Sequence, residues 1–314
     1  MCQRRKNPSF RRFLKLMFID LLVLAVIRMI LTLHGCTQNE KVASVYQNNE
    51  SAELLVLMYH SVRNGPESGY SVTPQTLAAD FQYLAAHDFE AVSPEDLVRF
   101  VTDGVPLPSK PVLLTFDDGF YNNLAYVLPL LKQYDFCAVV NIVGEFTEEL
   151  APVDSHVPAY SYLTAEDCRE LLDSGRVALG NHTTKLHHRT DRRGCAINKD
   201  ESESRYHAIF MNDISHLQEF LHRELSFEPI VFAYPYGFDC AESIPVLKDS
   251  GFLVTLTCYE HWNEITQGDV DSLYGLGRYN RAGNQSTDAF FTQILGESCT
   301  SKSCFGGESE AALY

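Results

Sequence analysis

Short apolar segments alternate with amphipathic segments through most of this chain. Each apolar segment is continuous, which is the pattern of a β-strand buried on both faces, and the segments between them carry apolar residues at helical spacing. Strands that alternate with helices predict a parallel sheet covered by helices. About seven such strands within about 240 residues suit an α/β fold of the closed, distorted (β/α) barrel type better than an open sheet. The expected strands are residues 54–60, 111–115, 137–143, 177–179, 229–233, 253–258 and 272–277.

Capping residues mark where the helices begin. Thr73 and Ser93 each precede a proline, the arrangement of an N-cap followed by the first helical residue. Thr164 is followed by Asp167 at the spacing of a capping box. A long amphipathic helix is expected over about residues 203–225 and a shorter one over about 242–249.

Size and charge limit the classes of function. A chain of 314 residues has room for one large domain or two small ones, with a sizeable core. Its composition, 45% hydrophobic and 21% charged, is ordinary for a globular protein. The formal net charge of −16 argues against a nucleic-acid partner, because such partners require a basic surface.

The N-terminus differs from the rest of the chain. Basic residues precede an apolar stretch over about residues 16–33, which has the length of a signal peptide or a marginal membrane helix. Because a basic flank stays in the cytoplasm, the body of the chain is expected to be exported, and to be membrane-anchored at the cell surface or secreted. The predicted division is 1–36 basic flank and signal-anchor or signal peptide, 37–51 linker, 52–290 main domain and 291–314 C-terminal tail.

Chemistry-bearing residues follow three of the predicted strands. Asp117 and Asp118 come after the strand at 111–115, and neighbouring residues that leave a strand point to different sides. One carboxylate can therefore face an ion while the other faces the group that the ion activates. Asp and Gly are also ordinary turn residues, so this pair alone does not decide between a turn and a site.

The other two motifs supply the missing partners. His182, His187 and His188 follow the short strand at 177–179, and a Tyr-Pro-Tyr-Gly segment follows the strand at 229–233. Histidine and carboxylate suit a divalent metal such as zinc, and one Asp with two His leaves positions open for water and substrate. In barrels the chemistry lies at the carboxyl ends of the strands, where all three motifs fall.

Taken together, these motifs resemble those of the polysaccharide deacetylases of carbohydrate esterase family 4, over about residues 52–290. Residues 115–119 match the family's Thr-Phe-Asp-Asp-Gly motif. The second motif is usually His-(Ser/Thr)-x-x-His, whereas here one more residue separates His182 from His187. This longer form resembles the poly-N-acetylglucosamine deacetylase branch. Tyr59 and His60 resemble the family's first strand.

The resemblance implies a polysaccharide deacetylase barrel, a mechanism and a substrate. Asp118, His182 and His187 would hold a divalent metal, most readily Zn²⁺, and Asp117 would be the general base. The backbone N–H of Tyr236 would stabilise the oxyanion. The acetyl group would come from a polysaccharide bound by the third motif, Tyr234, Pro235, Tyr236 and Gly237.

Two parts of the family pattern are missing. The third motif usually begins with an arginine that orients the base, and Ala233 stands in its place. Arg278, after a later strand, is either a replacement for that arginine or a surface residue. The family's late Leu-x-Leu-His motif, whose histidine acts as general acid, is not found after the third motif of this chain; His261 or a metal-bound water are the candidates. His60 either lines the site or lies in the core, and His188 is expected to face solvent.

Three functions remain open at this stage. The leading hypothesis is a metal-dependent deacetylase that removes N-acetyl groups from N-acetylglucosamine-type units of a cell-surface or extracellular polysaccharide. An O-acetyl esterase is the alternative within enzymes, because the metal-binding residues do not distinguish an amide from an ester. A non-catalytic glycan-binding scaffold is the alternative from another class, and the presence of the base and all three ligands argues against it.

Overall fold

The computed structural model describes residues 50–153, 156–190 and 192–298. The predicted signal segment at 1–36, nearly all of the predicted linker, and residues 299–314 of the predicted tail lie outside these ranges. Within the described ranges, no helix has both the length and the hydropathy needed to cross a membrane.

A curled, mostly parallel sheet forms the centre of the fold. The strands are β1 (Ser51–Tyr59), β2 (Ser61–Val62), β3 (Ser71–Val72), β4 (Glu90–Ala91), β5 (Pro111–Phe116), β6 (Ala138–Ile142), β7 (Val177–Asn181), β8 (Val231–Ala233), β9 (Val254–Leu256), β10 (Asn263–Thr266) and β11 (Tyr279–Asn280). The main strands of the sheet follow the order β10-β1-β5-β6-β7-β8-β9, with β4 paired to β5 and β11 paired to β1. The predicted barrel of parallel strands is confirmed.

The segment at 276–281 bridges the two ends of this sheet. On one side Thr257 donates its N–H to Leu276 O (2.9 Å), and on the other Arg281 donates its N–H to Met58 O (2.9 Å). β11 pairs in parallel with β1, and β10 pairs with it antiparallel. The strand predicted at 272–277 is wrong: a 3₁₀ turn (Val270–Leu273) occupies its first part and the strand comes later, because Ser272 Oγ bonds Asp269 O (2.6 Å) and so favours a turn.

Helices pack against the sheet, most of them on its outer face. They are α1 (Pro74–Ala86), α2 (Pro94–Asp103), α3 (Leu128–Tyr134), α4 (Ala165–Asp173), α5 (Glu203–Leu225), α6 (Ser243–Asp249) and α7 (Thr287–Ser298). The predicted caps are confirmed: Thr73 accepts from Thr76 N–H, and Ser93 and Thr164 each form a capping box. α7 continues past the tail boundary expected at residue 290, because Phe291 and Ile294 are buried in the core.

The two faces of β5 pack against different parts of the protein. Along β5, Val112, Leu114 and Phe116 pack outward among helix side chains, whereas Leu113 packs inward with residues of other strands and of α2. The next two inward positions are polar, Thr115 and then Asp117, and both are buried. The sheet interior therefore changes from apolar to polar at the carboxyl ends of the strands, where a reactive site can form.

A buried ion pair ties the closing segment to the helices. Arg281 donates from Nε to Asp80 Oδ2 (2.9 Å), and Thr287 Oγ1 donates to Asp80 Oδ1 (2.6 Å). Asp80→Ala would leave the Arg281 charge buried and unpaired, and we expect it to lower the free energy of unfolding by about 3–5 kcal/mol. Urea denaturation measures this, with the exposed Asp103→Asn as the control within about 0.5 kcal/mol of wild type. A loss below about 1 kcal/mol for Asp80→Ala would contradict the structural role of this pair.

Candidate active site

The turn after β5 separates the two carboxylates. Asp118 and Gly119 both adopt left-handed backbone conformations, with φ of 71° and 66°, which Asp and Gly tolerate better than most residues. As a result the side chain of Asp117 points inward, with 1% of the residue exposed. The side chain of Asp118 keeps 17% exposure at the open end of the barrel.

Asp117 is held by a buried network. Arg278 donates to both of its oxygens, Nη1 to Oδ1 and Nη2 to Oδ2, each at 2.8 Å. Asn141 Nδ2 donates to Oδ1 at 2.7 Å. Burial alone would raise the pKa of Asp117, but the charge of Arg278 outweighs it and holds that pKa well below its usual range. Asp117 therefore stays ionised at neutral pH.

Arg278 lies inside the barrel, not on the surface. It is 0% exposed, and its Nε donates to the carbonyl oxygen of Thr257 at 2.8 Å. Its Nη1 also reaches Thr115 Oγ1 at 3.2 Å. An arginine that comes from the closing segment therefore occupies the position next to Asp117 that Ala233, buried in β8, cannot fill.

Asp118, His182 and His187 lie together beside this network. His182 Nε2 is 3.8 Å and His187 Nε2 is 3.2 Å from Asp118 Oδ1. One ligand atom from each residue lies within 4.8 Å of the other two. Burial alone would raise the pKa of Asp118, but the hydrogen bond from His187 and the nearby histidine charges lower it.

The protonation of His182 fits metal binding. Its Nδ1 is 2.7 Å from the carbonyl oxygen of Ala233, which can only accept, so Nδ1 carries the proton and Nε2 presents a lone pair. Burial lowers the pKa of His182 to about 4, although Asp117 opposes the shift. The ring is therefore neutral at pH 7, the form that binds metal. Two imidazoles and a carboxylate suit a divalent metal.

A carboxylate on α5 shapes the loop between the two histidines. Asp213 accepts from the backbone N–H of Thr184 and of Lys185, both at 2.8 Å. Thr184 Oγ1 donates to the Asp213 carbonyl oxygen at 2.6 Å. Asp213 belongs to none of the sequence motifs; its signal is an acid on the core-facing side of an amphipathic helix. His188 faces Glu145 (3.7 Å) and is 54% exposed, so it points away from the site as predicted.

The third motif forms a tight turn opposite His187. Tyr236 is left-handed at φ 58°, and its ring centroid lies 4.8 Å from that of His187. Pro235 and Gly237 are buried and shape the turn; a Cβ on Gly237 would lie 2.7 Å from Cys258 Cβ. The side chain of Tyr234, predicted to bind substrate, is instead buried in the core, where its hydroxyl is 2.6 Å from Ser243 Oγ.

His60 lies near the carboxylates, whereas His261 does not join them. The charge of His60 is among the causes that lower the pKa of both Asp117 and Asp118. Its Nδ1 is buried without a hydrogen-bond partner in the part of the chain that the structure describes. The ring of His261 packs on Gly277, where an added Cβ would lie 2.3 Å from Cε1, and burial is the one cause of its lowered pKa.

The chain is similar to known polysaccharide deacetylases. Residues 104–255 match the family model described as Polysaccharide deacetylase. The chain is 25% identical over 263 residues to the poly-beta-1,6-N-acetyl-D-glucosamine N-deacetylase of Escherichia coli (strain K12), covering 77% of this chain and 38% of that protein. The protein of the same name from Staphylococcus epidermidis is 25% identical over 297 residues, covering 89% of this chain and 95% of that protein.

A solved structure shows the same fold. The de-N-acetylase from Aggregatibacter actinomycetemcomitans superposes with a TM-score of 0.65 at 22% identity, covering 77% of this chain and all (100%) of that one. The chain spans 38% of the length of its Escherichia coli relative but nearly all of the two others. From its motifs, its barrel and the match to the family model, the chain contains a polysaccharide deacetylase domain, matched over residues 104–255.

Proposed function

We propose that this protein is a metal-dependent N-deacetylase that acts on N-acetylglucosamine-type units of an extracellular polysaccharide. The observation that carries the proposal is the pairing of an ionised, buried Asp117 with an adjacent ligand set of two imidazoles and a carboxylate. The names of its Escherichia coli and Staphylococcus epidermidis relatives support the substrate class. The protein acts after export, secreted or held at the membrane by its N-terminal segment.

Asp118, His182 and His187 would hold a divalent metal, and Zn²⁺ suits these ligands. Such a metal would supply Lewis acidity for the acetyl carbonyl and a lowered pKa for water. Asp117 takes the proton of the attacking water, and Arg278 keeps its carboxylate ionised and oriented. The backbone N–H of Tyr236 stabilises negative charge on the carbonyl oxygen, and removing one such donor typically costs about 2.7–4 kcal/mol.

His60 supplies the proton for the leaving amine. An amine leaves poorly without protonation, so an amide substrate requires an acid near the scissile bond. His60 has a buried ring nitrogen without a partner among the described residues, and it lies close enough for its charge to lower the pKa of both carboxylates. These two observations support His60 over His261.

His60→Gln is expected to lower kcat on an N-acetyl substrate by about 10²–10⁴-fold, the usual contribution of a general acid. An O-acetyl ester should lose less, because an alkoxide leaves more easily than an amine. Bound metal, measured by elemental analysis, should be unchanged. His261→Gln is the control and should retain activity; a loss in His261→Gln as large as that in His60→Gln would contradict this assignment.

Acetate release on a substrate panel tests the proposed function. The full chain is incubated with oligomers of β-1,6-linked N-acetylglucosamine and with acetylated xylan. We expect acetate and new free amines from the N-acetylglucosamine oligomers. Release from xylan alone would identify an O-acetyl esterase. Binding to the oligomers without release by the metal-loaded protein would identify a glycan-binding scaffold.

A further inference from the structure

Asn141 is a polar residue at an inward position of an apolar strand. It lies on β6, two residues after the inward-facing Val139, and it is 0% exposed. Its Nδ2 donates to Asp117 Oδ1 at 2.7 Å. Because an ionised carboxylate can only accept, the amide must present its NH₂ group to Asp117.

Gly180 leaves space for the oxygen of this amide, Asn141 Oδ1. Gly180 pairs with Asn141 across β6 and β7, and a Cβ built on it would lie 1.9 Å from Asn141 Oδ1. Gly180 is not among the residues with positive φ, so its backbone conformation would accept any residue. Space for the Asn141 side chain is therefore the reason for glycine at this position.

This arrangement lowers the stability of the barrel. Asn141 Oδ1 is buried without a hydrogen-bond partner among the described residues, and an unpaired buried acceptor is unfavourable. An apolar residue of similar size would avoid the penalty and extend the apolar strand. A polar residue that is unfavourable for folding yet bonded to the proposed base points to a role in the reaction.

We infer that Asn141 is a positioning residue for Asp117 and that Gly180 is required to admit it. The inference rests on the proposed function. Oδ1 of Asp117 accepts from both Arg278 and Asn141, which uses its two lone pairs, whereas Oδ2 accepts from Arg278 alone. Oδ2 therefore keeps a lone pair and is the oxygen that takes the proton from water. Asn141 fixes the rotation of the carboxylate that aims this lone pair.

Four full-chain variants test the inference: Asn141→Ala, Gly180→Ala, their double variant, and Gly296→Ala. Gly296 has open space around its Cβ position, so it is the matched glycine control. Asn141→Ala should lower kcat by about 10- to 100-fold, the effect of one hydrogen bond to a charged group. KM and bound metal should stay within about two-fold, since Asn141 is fully buried and is not one of the proposed metal ligands.

Gly180→Ala should lower kcat to the same extent, because its Cβ displaces the amide. When Asn141→Ala is already present, Gly180→Ala should lower kcat no further. Gly180→Ala should lower Tm only when Asn141 is present. The inference would be overturned by wild-type kcat in Asn141→Ala or by full activity in Gly180→Ala. It would also be overturned if the two losses of kcat multiply in the double variant. If the wild type releases no acetate, the proposed function fails. Crystal structures then decide the inference, which requires a rotated Asp117 carboxylate in both single variants and fails if the carboxylate is unmoved.

Discussion

Asp117→Asn should lower kcat for acetate release by about 10²–10⁴-fold, the range for a general base. The amide has nearly the same shape as the carboxylate but cannot take a proton from water. The ligand set of Asp118, His182 and His187 is untouched, so the variant should bind metal as the wild type does. Steady-state kinetics on N-acetylglucosamine oligomers and elemental analysis measure the two effects.

Asp118→Asn is the matched control for this prediction. It changes the neighbouring carboxylate by the same atoms, but it weakens a metal ligand and should lose both metal and activity. The contrast between the two variants separates the roles assigned to adjacent residues. If Asp117→Asn keeps more than about a tenth of wild-type kcat, Asp117 is not the general base.

Arg278→Met should have the second large effect, on stability and activity together. It leaves the Asp117 carboxylate buried without its ion-pair partner, and removing one partner of such a pair typically costs about 3–5 kcal/mol. The effect of burial on Asp117 then dominates, and the pKa of Asp117 rises above its unfolded value of about 3.9. Asp117 therefore takes up a proton when the variant folds, so the free energy of unfolding of the variant should fall as pH rises from about 5 to about 8.

In the wild type the sign is opposite. The pKa of Asp117 is held below its unfolded value, so its contribution to stability is present above about pH 4 and is lost only on acidification. Urea denaturation at pH 5 and pH 8 distinguishes the two proteins. Asp117→Asn combined with Arg278→Met should regain stability, because no unpaired charge remains, but should stay inactive.

Arg281→Met is the matched control for Arg278→Met. It breaks the other buried Asp–Arg pair, with Asp80, and should lose a similar amount of stability. Its activity per folded molecule should remain near wild type, because Asp117 keeps its partners. If Arg278→Met also keeps wild-type activity per folded molecule, Arg278 stabilises the fold without orienting Asp117.

The sequence was most informative where chemistry lies next to strand ends. Asp118, His182 and His187 belong to short motifs at the ends of β5 and β7, and parallel strands bring such ends to one rim. The barrel followed from the alternation of apolar strands with amphipathic helices. These features are local, so a single chain read in order reveals them.

Long-range contacts were harder to predict. Arg278 reaches Asp117 only because the segment at 276–281 closes the barrel, and that segment was misplaced as a strand at 272–277. Asn141 looked like one more residue of a buried strand. Its signal was the single polar side chain between Val140 and Ile142, which an apolar interior does not require.

The third motif shows a further limit. Tyr234 and Tyr236 are alike in sequence, yet the turn buries the first and exposes 39% of the second. The left-handed backbone at Tyr236 causes the difference, and tyrosine seldom adopts it without surrounding contacts. A motif can therefore locate a substrate-binding turn without showing which of its side chains reaches the surface.

Metal dependence of acetate release from β-1,6-linked N-acetylglucosamine oligomers is the most direct test of whether this protein is a metal-dependent deacetylase. The full chain is stripped with a chelator, assayed, and assayed again after Zn²⁺ is restored, alongside His182→Ala and His187→Ala. We expect loss of acetate release on stripping, recovery with about one Zn²⁺ per chain, and no recovery in either histidine variant. Undiminished release by the metal-free protein would contradict metal-dependent catalysis.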